Sequence, residues 1–68
     1  MYVAAKEGYV NVRAKASSQS EILHKKKNGQ LLSSDNFIRR QGEWYLFSFF
    51  DKQSNKYYEG YVHRSGLK

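Results

Sequence analysis

The sequence predicts an all-β domain built as a small antiparallel barrel. The chain has 68 residues, which is enough for one domain with one small hydrophobic core. Helical periodicity is poor throughout, whereas apolar and polar residues alternate in three segments, as they do in half-buried strands. The six Tyr, four Phe and one Trp strengthen this prediction, because aromatic side chains favour strands.

The three alternating segments are the best-defined strand predictions. The first, residues 9–13, places Val10 and Val12 on its inner face and polar side chains on its outer face. The other two, residues 44–49 and 57–63, are rich in aromatic side chains. Each has one face apolar enough to pack on a core, so we expect all three to line the inside of the barrel.

Turn signals separate these strands and define the remaining ones. Residues 51–56 are polar and join the two aromatic segments, so they are predicted to form a hairpin loop. Asn28–Gly29 and Gln41–Gly42 are typical turn sequences. We expect short strands at 22–23 and 30–32, with the intervening basic segment HKKKNG in a turn. Strands spaced about every ten residues favour a barrel or sandwich.

Composition excludes several classes of function. Twelve Lys and Arg against six Asp and Glu give a net charge of +6, which attracts polyanions but also keeps a small domain soluble. No Cys is present, so neither a disulfide nor a thiolate metal site is available. His24 and His63 lack metal-ligand spacing, and no Ser, His and Asp set suggests nucleophilic catalysis. We expect no metal, no cofactor and no enzymatic activity.

No membrane or export segment is recognisable in the sequence. No apolar stretch approaches the length of a membrane-spanning helix, and the residues after Met1 lack the apolar core of a signal peptide.

Three motifs of the chain resemble those of the bacterial SH3-like family, known as SH3b. The segment GYVNVRAKASSQSEILHKKKNGQ resembles the opening of the family, with its "LNVRSGPS" stretch, short apolar pair and basic turn ending in Gly. GEWYLF resembles the family's "GWYKV", and EGYVHRSGL resembles its "GYVHSSYL". Lys15 and Ala16 depart from the pattern by replacing its "GP". The resemblance covers about residues 3–67, so we expect residues 1–68 to be one domain taken from a larger protein.

The resemblance implies a fold, a function and a location. It implies a small SH3-like barrel of five to seven short antiparallel strands without catalytic residues. Members of the family are modules of exported or cell-envelope proteins, including autolysins, phage endolysins, amidases, peptidases and lipoproteins. The best-understood members hold peptidoglycan peptides in a groove lined by aromatic residues. The expected function is therefore a monomeric binding module of a bacterial envelope or secreted protein, with a cell-wall peptide as its partner.

Six residues are candidates for such a groove: Trp44, Tyr61, Asn11, Arg13, Tyr58 and His63. Trp44 is the strongest, because a large apolar ring on the outer face of a small barrel is exposed unless something covers it. The resemblance implies that this position lies at the groove rim. The alternative is that Trp44 packs beneath the loop of residues 14–20.

Each of the other groove candidates also has a structural alternative. Asn11 could bond backbone groups beside a turn, and Arg13 could brace Glu21 or Glu59 instead of a ligand carboxylate. Tyr58 could pair across the hairpin with phenylalanine rings, and His63 could be a solvated turn residue.

Five basic residues form a candidate anion-binding patch if they share a face: Lys25, Lys26, Lys27, Arg39 and Arg40. Basic residues interleaved with exposed aromatics would bind single-stranded nucleic acid. We regard nucleic acid as an unlikely partner, because the strand pattern fits the SH3b family better. Two further alternatives are an interaction with a protein or peptide, such as an adjacent domain of the parent protein, and a purely structural spacer.

Overall fold

The computed structural model describes all 68 residues and contains five antiparallel strands in one sheet. The strands are β1 (Tyr9–Arg13), β2 (Ile22–Lys27), β3 (Phe37–Gln41), β4 (Trp44–Asp51) and β5 (Lys56–His63). Single 3-10 turns at Ser34–Asn36 and Arg64–Gly66 precede β3 and follow β5. The sheet order is β2-β1-β5-β4-β3, so the prediction of a small all-β, SH3-like domain is confirmed. None of its helical segments could cross a membrane.

The longest pairing in the sheet is the hairpin of β4 and β5. It runs without a break from Trp44 opposite His63 to Asp51 opposite Lys56. The Asp51 carboxylate holds the turn, because it accepts hydrogen bonds from the Gln53 N–H and the Ser54 hydroxyl, both at 3.1 Å. The predicted hairpin loop at 51–56 is therefore confirmed. Its two end residues, Asp51 and Lys56, pair with each other as the last positions of the two strands.

Two strand predictions are corrected by the structure. The lysines of the HKKKNG segment lie in β2 and pair with β1, so that only Asn28–Gly29 forms the turn. Lysine disfavours strands, but the ammonium groups of Lys25 and Lys26 lie over aromatic rings here. The expected strand at 30–32 is reduced to one bridge, between Leu31 and Tyr2.

Strand β3 was not predicted, since its sequence FIRRQ does not alternate. All five of its residues are exposed, and it lies at one end of the sheet. Pairing with β4 alone defines it, and the predicted turn at Gln41–Gly42 connects the two strands. Gly42 has a φ of 59°, which suits glycine in a tight hairpin turn.

The core lies on the inner face of the sheet. Its buried members are Val3, Val10, Val12, Leu32, Phe47, Phe49 and Val62. The inward orientation predicted for Val10 and Val12 is thus confirmed. Strand β5 approaches β1 closely at Gly60, where a Cβ atom would overlap Cγ1 of Val12. A side chain at this position would therefore push the two strands apart.

The first residues of the chain pack against the segments that follow β2 and β5. Val3, which is 1 % exposed, forms a bridge with Leu67 near the other end of the chain. The Ala4 N–H donates to the Gly66 carbonyl, and the Leu32 N–H donates to the Met1 carbonyl, both at 2.8 Å. These contacts place the 3-10 turn after β5 next to β1, where it helps to form the site described below.

Candidate functional site

Trp44 lies on the outer face of the sheet, away from the core. Successive residues of β4 alternate, so Phe47 and Phe49 point inward while Trp44 points outward. Its cross-strand partners are His63 and Gln41. The rings of Trp44 and His63 meet edge-on, with centroids 5.0 Å apart. Trp44 is half-buried rather than covered, so its ring remains available on this face.

A groove of about 410 Å³ crosses this outer face beside Trp44. We call it the outer groove; it is lined by Trp44 and His63 from the β4–β5 hairpin, Asn11 and Arg13 from β1, and Ser18 from the 14–20 loop. The structure thus brings four of the six predicted groove residues together. The 14–20 loop borders the groove through Ser18. This arrangement differs from the alternative in which the loop would bury Trp44.

Arg13 forms the link between the outer groove and the 14–20 loop. Its Nη1 donates a hydrogen bond to the Ser20 carbonyl at 2.8 Å. The expectation that it braces Glu21 or Glu59 is wrong, because its partner is a main-chain oxygen. Ser20 Oγ also accepts from the Lys15 N–H at 2.9 Å, so hydrogen bonds hold the loop that lacks the family's Pro and Gly.

Asn11 has a polar atom without a partner. Its Oδ1 is buried and makes no hydrogen bond within the protein. The suggested role in bonding turn backbone is therefore not observed. A buried acceptor without a partner is costly, and this one belongs to a residue that lines the outer groove. Because the oxygen itself has no exposed surface, a bound molecule would reach it only after the Asn11 side chain turns toward the groove.

The His63 imidazole is oriented by the 3-10 turn that follows β5. Nδ1 accepts from the Ser65 N–H at 3.2 Å and lies 2.8 Å from Ser65 Oγ. Because Nδ1 accepts a backbone hydrogen bond, the neutral ring carries its proton on Nε2. His63, which lines the outer groove, therefore has one N–H donor that makes no hydrogen bond within the chain.

An ion pair joins the two chain segments that carry Trp44 and His63. Arg64 donates through its side-chain Nε to the Glu43 carboxylate, and its backbone N–H donates to the Glu43 carbonyl at 2.9 Å. The Arg64 hydrogen bond lowers the pKa of Glu43 below its usual 4.5. Both side chains are about half exposed, so their main effect is to fix the end of the hairpin.

The two candidate tyrosines lie on opposite faces of β5, because three positions separate them and side chains alternate. Tyr61 is on the outer face but does not line the groove; its hydroxyl accepts from Arg39 Nη2 at 3.1 Å. Tyr58 is on the inner face, where its ring stacks on Phe49 and His24 at 5.4 and 4.5 Å. Its assignment to the groove is thus corrected, and burial raises its pKa.

Comparison with known proteins agrees with this architecture. A family model described as the bacterial SH3 domain matches residues 8–68, nearly the whole chain. The chain belongs to the bacterial SH3 domain family. No curated protein and no solved structure shows a significant match to it. Members of this family are non-catalytic binding domains, typically found in envelope or secreted proteins, so the chain is a bacterial binding module.

The five basic residues of this bacterial SH3 domain do not form one patch. Three strands separate β2, which carries the lysines, from β3, which carries the arginines. Within β2 the lysines alternate: Lys25 lies over the Tyr9 ring at 4.7 Å, whereas Lys26 lies over Phe49 on the core side at 5.1 Å. The positive charge is therefore distributed around the barrel.

Four residues with polar side chains line the outer groove but were not among the six candidates: Glu7, Tyr9, Ser18 and Ser65. Tyr9 could have been found, because it shares the outer face of β1 with Asn11 and Arg13. The other three lie in turns or loops. The segments around them show no alternation of polar and apolar residues, and only the folding of the chain brings them to the groove.

Proposed function

We propose that this bacterial SH3 domain is a targeting module that binds a peptidoglycan peptide in the outer groove. In this way it attaches a larger envelope or secreted protein to the cell wall. One observation carries the proposal: an aromatic ring, an imidazole, a guanidinium and a buried acceptor without a partner converge on one groove. They belong to Trp44, His63, Arg13 and Asn11.

The chemistry of the outer groove suits a short peptide. Trp44 offers an apolar ring face, and the Asn11 amide would offer an acceptor for a peptide N–H once its side chain turns toward the groove. Arg13 and His63 add donors for carbonyl or carboxylate oxygens. A cavity of about 410 Å³ is near the small end of the range for ligand sites, roughly 300–1,000 Å³. It therefore suits a few residues rather than a long chain.

Co-sedimentation with insoluble peptidoglycan tests the proposal. The domain and its Trp44→Ala variant are compared at low and near-physiological salt, with folding checked by circular dichroism. Tyr57→Ala is the matched control, since this aromatic is 72 % exposed and lies outside the outer groove. We expect the wild type and the control to be retained at both salts, and Trp44→Ala to bind about tenfold or more weakly, as for an aromatic hot spot.

Other outcomes would reject the proposal. Retention at low salt only, unchanged in Trp44→Ala, would mean that the charge of +6 adsorbs to a polyanion without using the groove. No retention at either salt would favour a protein partner or a structural spacer.

A further inference from the structure

A second cavity lies on the side of β4 opposite to the outer groove. It has a volume of about 420 Å³ and lies between the β3–β4 hairpin and the first residues of the chain. We call it the β3 cleft; its walls include Phe37, Tyr45, Phe47, Met1, Leu32 and Arg40. Because Trp44 and Tyr45 are consecutive in β4, they point into the two different cavities.

The apolar part of the β3 cleft is built from aromatic rings in fixed contact. Phe37 meets Tyr45 and Phe47 edge-on, with centroids 5.8 and 5.7 Å apart. Phe47 belongs to the core and is 1 % exposed, whereas Phe37 is 41 % exposed. The cleft therefore has a buried floor and an open aromatic wall, which is the form of a site that receives an apolar side chain.

Arg40 has the only charged side chain among the residues that line the β3 cleft. Its guanidinium lies over the Tyr45 ring at 6.0 Å, and its Nε donates to the Gly42 carbonyl at 2.8 Å. Its two terminal nitrogens make no hydrogen bond within the chain, and it forms no ion pair. A positioned guanidinium with free donors beside an apolar cavity favours a carboxylate next to an apolar group.

The backbone beside the cleft points to a peptide. Strand β3 is the last strand of the sheet, so one side of its backbone has no strand partner. Such an edge can pair with an extended peptide. We propose that the β3 cleft docks an extended segment of a partner protein, with an apolar side chain in the cleft and an adjacent carboxylate on Arg40. This site is independent of the outer groove.

Titration with a small probe, followed by NMR of backbone amides, tests this proposal. N-acetyl-L-phenylalanine carries an apolar ring next to a carboxylate, and N-acetyl-L-phenylalaninamide is its uncharged counterpart. We expect the acid to shift the amide signals of Phe37, Arg40 and Tyr45. Binding should be at least about fivefold weaker for the amide, and equally weaker for the acid with Arg40→Gln, since each change removes the charged hydrogen bond.

Arg39→Gln is the matched control. Arg39 is the preceding residue of the same strand, but its side chain points to the other face and bonds Tyr61. This variant should bind the acid as the wild type does. The proposal is overturned if the acid shifts no signals at the β3 cleft, if its shifts map only to the outer groove, or if Arg40→Gln binds it undiminished.

Discussion

At the scale of single residues, two buried polar atoms differ in their consequences. Asn11 Oδ1 and the Tyr58 hydroxyl both lack a hydrogen-bond partner. Asn11 lines the outer groove, so a turn of its side chain would let a bound peptide supply the missing donor. Tyr58 stacks between Phe49 and His24 on the core side. Its hydroxyl therefore reduces stability without serving the proposed peptide site.

Replacing Tyr58 by phenylalanine tests this view. Tyr58→Phe keeps both stacking contacts and removes a buried hydroxyl without a partner, so we expect the free energy of unfolding to rise by about 1 kcal/mol. Urea denaturation of the variant and the wild type measures the difference. Tyr57→Phe is the control and should leave stability unchanged, because Tyr57 is 72 % exposed. A loss of stability in Tyr58→Phe would show that the hydroxyl contributes an interaction after all.

At the scale of elements, the contact between β1 and β5 joins the two hairpins of the sheet. Only Arg13 and Tyr61 form a register pair between these strands. The contact is nevertheless tight, because Gly60 lets β5 approach the Val12 side chain, which is fully buried. The same contact carries Arg13 and Asn11 toward Trp44, so it shapes the outer groove as well as the core.

Adding a methyl group at Gly60 should separate these strands. Gly60→Ala places a Cβ against Val12 Cγ1, and we expect overpacking to cost about 1–3 kcal/mol of unfolding free energy. Denaturation of Gly60→Ala, Val12→Ala and the double variant forms a mutant cycle. The double variant should lose less than the sum of the single variants, since removing the Val12 methyl groups relieves the overlap.

Glu59→Ala is the control for this cycle, because Glu59 is the exposed neighbour of Gly60 in β5. It should be close to the wild type in stability. Additive losses in the cycle would contradict a direct contact between residues 12 and 60.

At the scale of the whole molecule, a small core makes stability sensitive to charge. Only 10 of the 68 residues are buried, and the chain already carries a charge of +6. Hydrogen bonds from Arg64 lower the pKa of Glu43, and those from the Gln53 N–H and Ser54 lower the pKa of Asp51. The folded state therefore releases these two protons more readily than the unfolded state does.

This difference predicts the direction of the pH dependence. The stabilisation by Glu43 and Asp51 is complete above their usual pKa values of 4.5 and 3.8, and it is lost as the pH falls through their lowered values. We expect the midpoint of thermal unfolding to fall over this acidic range. The variant Glu43→Gln/Asp51→Asn should be less stable than the wild type at neutral pH and should converge with it in acid. If the unfolding midpoints of the variant and the wild type differed by the same amount at all pH values, this assignment would be contradicted.

The sequence by itself determined the strands that have a buried face, the turns between them and the family. Alternation is a local property, so it identified β1, β4 and β5 and the inward residues Val10 and Val12. It also placed Trp44 on the outer face, because a side chain next to an inward one must point outward.

Tertiary structure alone decided which strands lie at the ends of the sheet and which residues meet. Strand β3 has no buried face, and the lysines of β2 lie against rings distant in sequence, so neither β3 nor the lysine part of β2 carries a local signal. The outer groove brings Asn11 next to His63 through the strand order, and the β3 cleft brings Met1 next to Phe37 through the packing of the first residues against the sheet. Such contacts depend on long-range packing, and the alternation of side chains along a strand does not specify it.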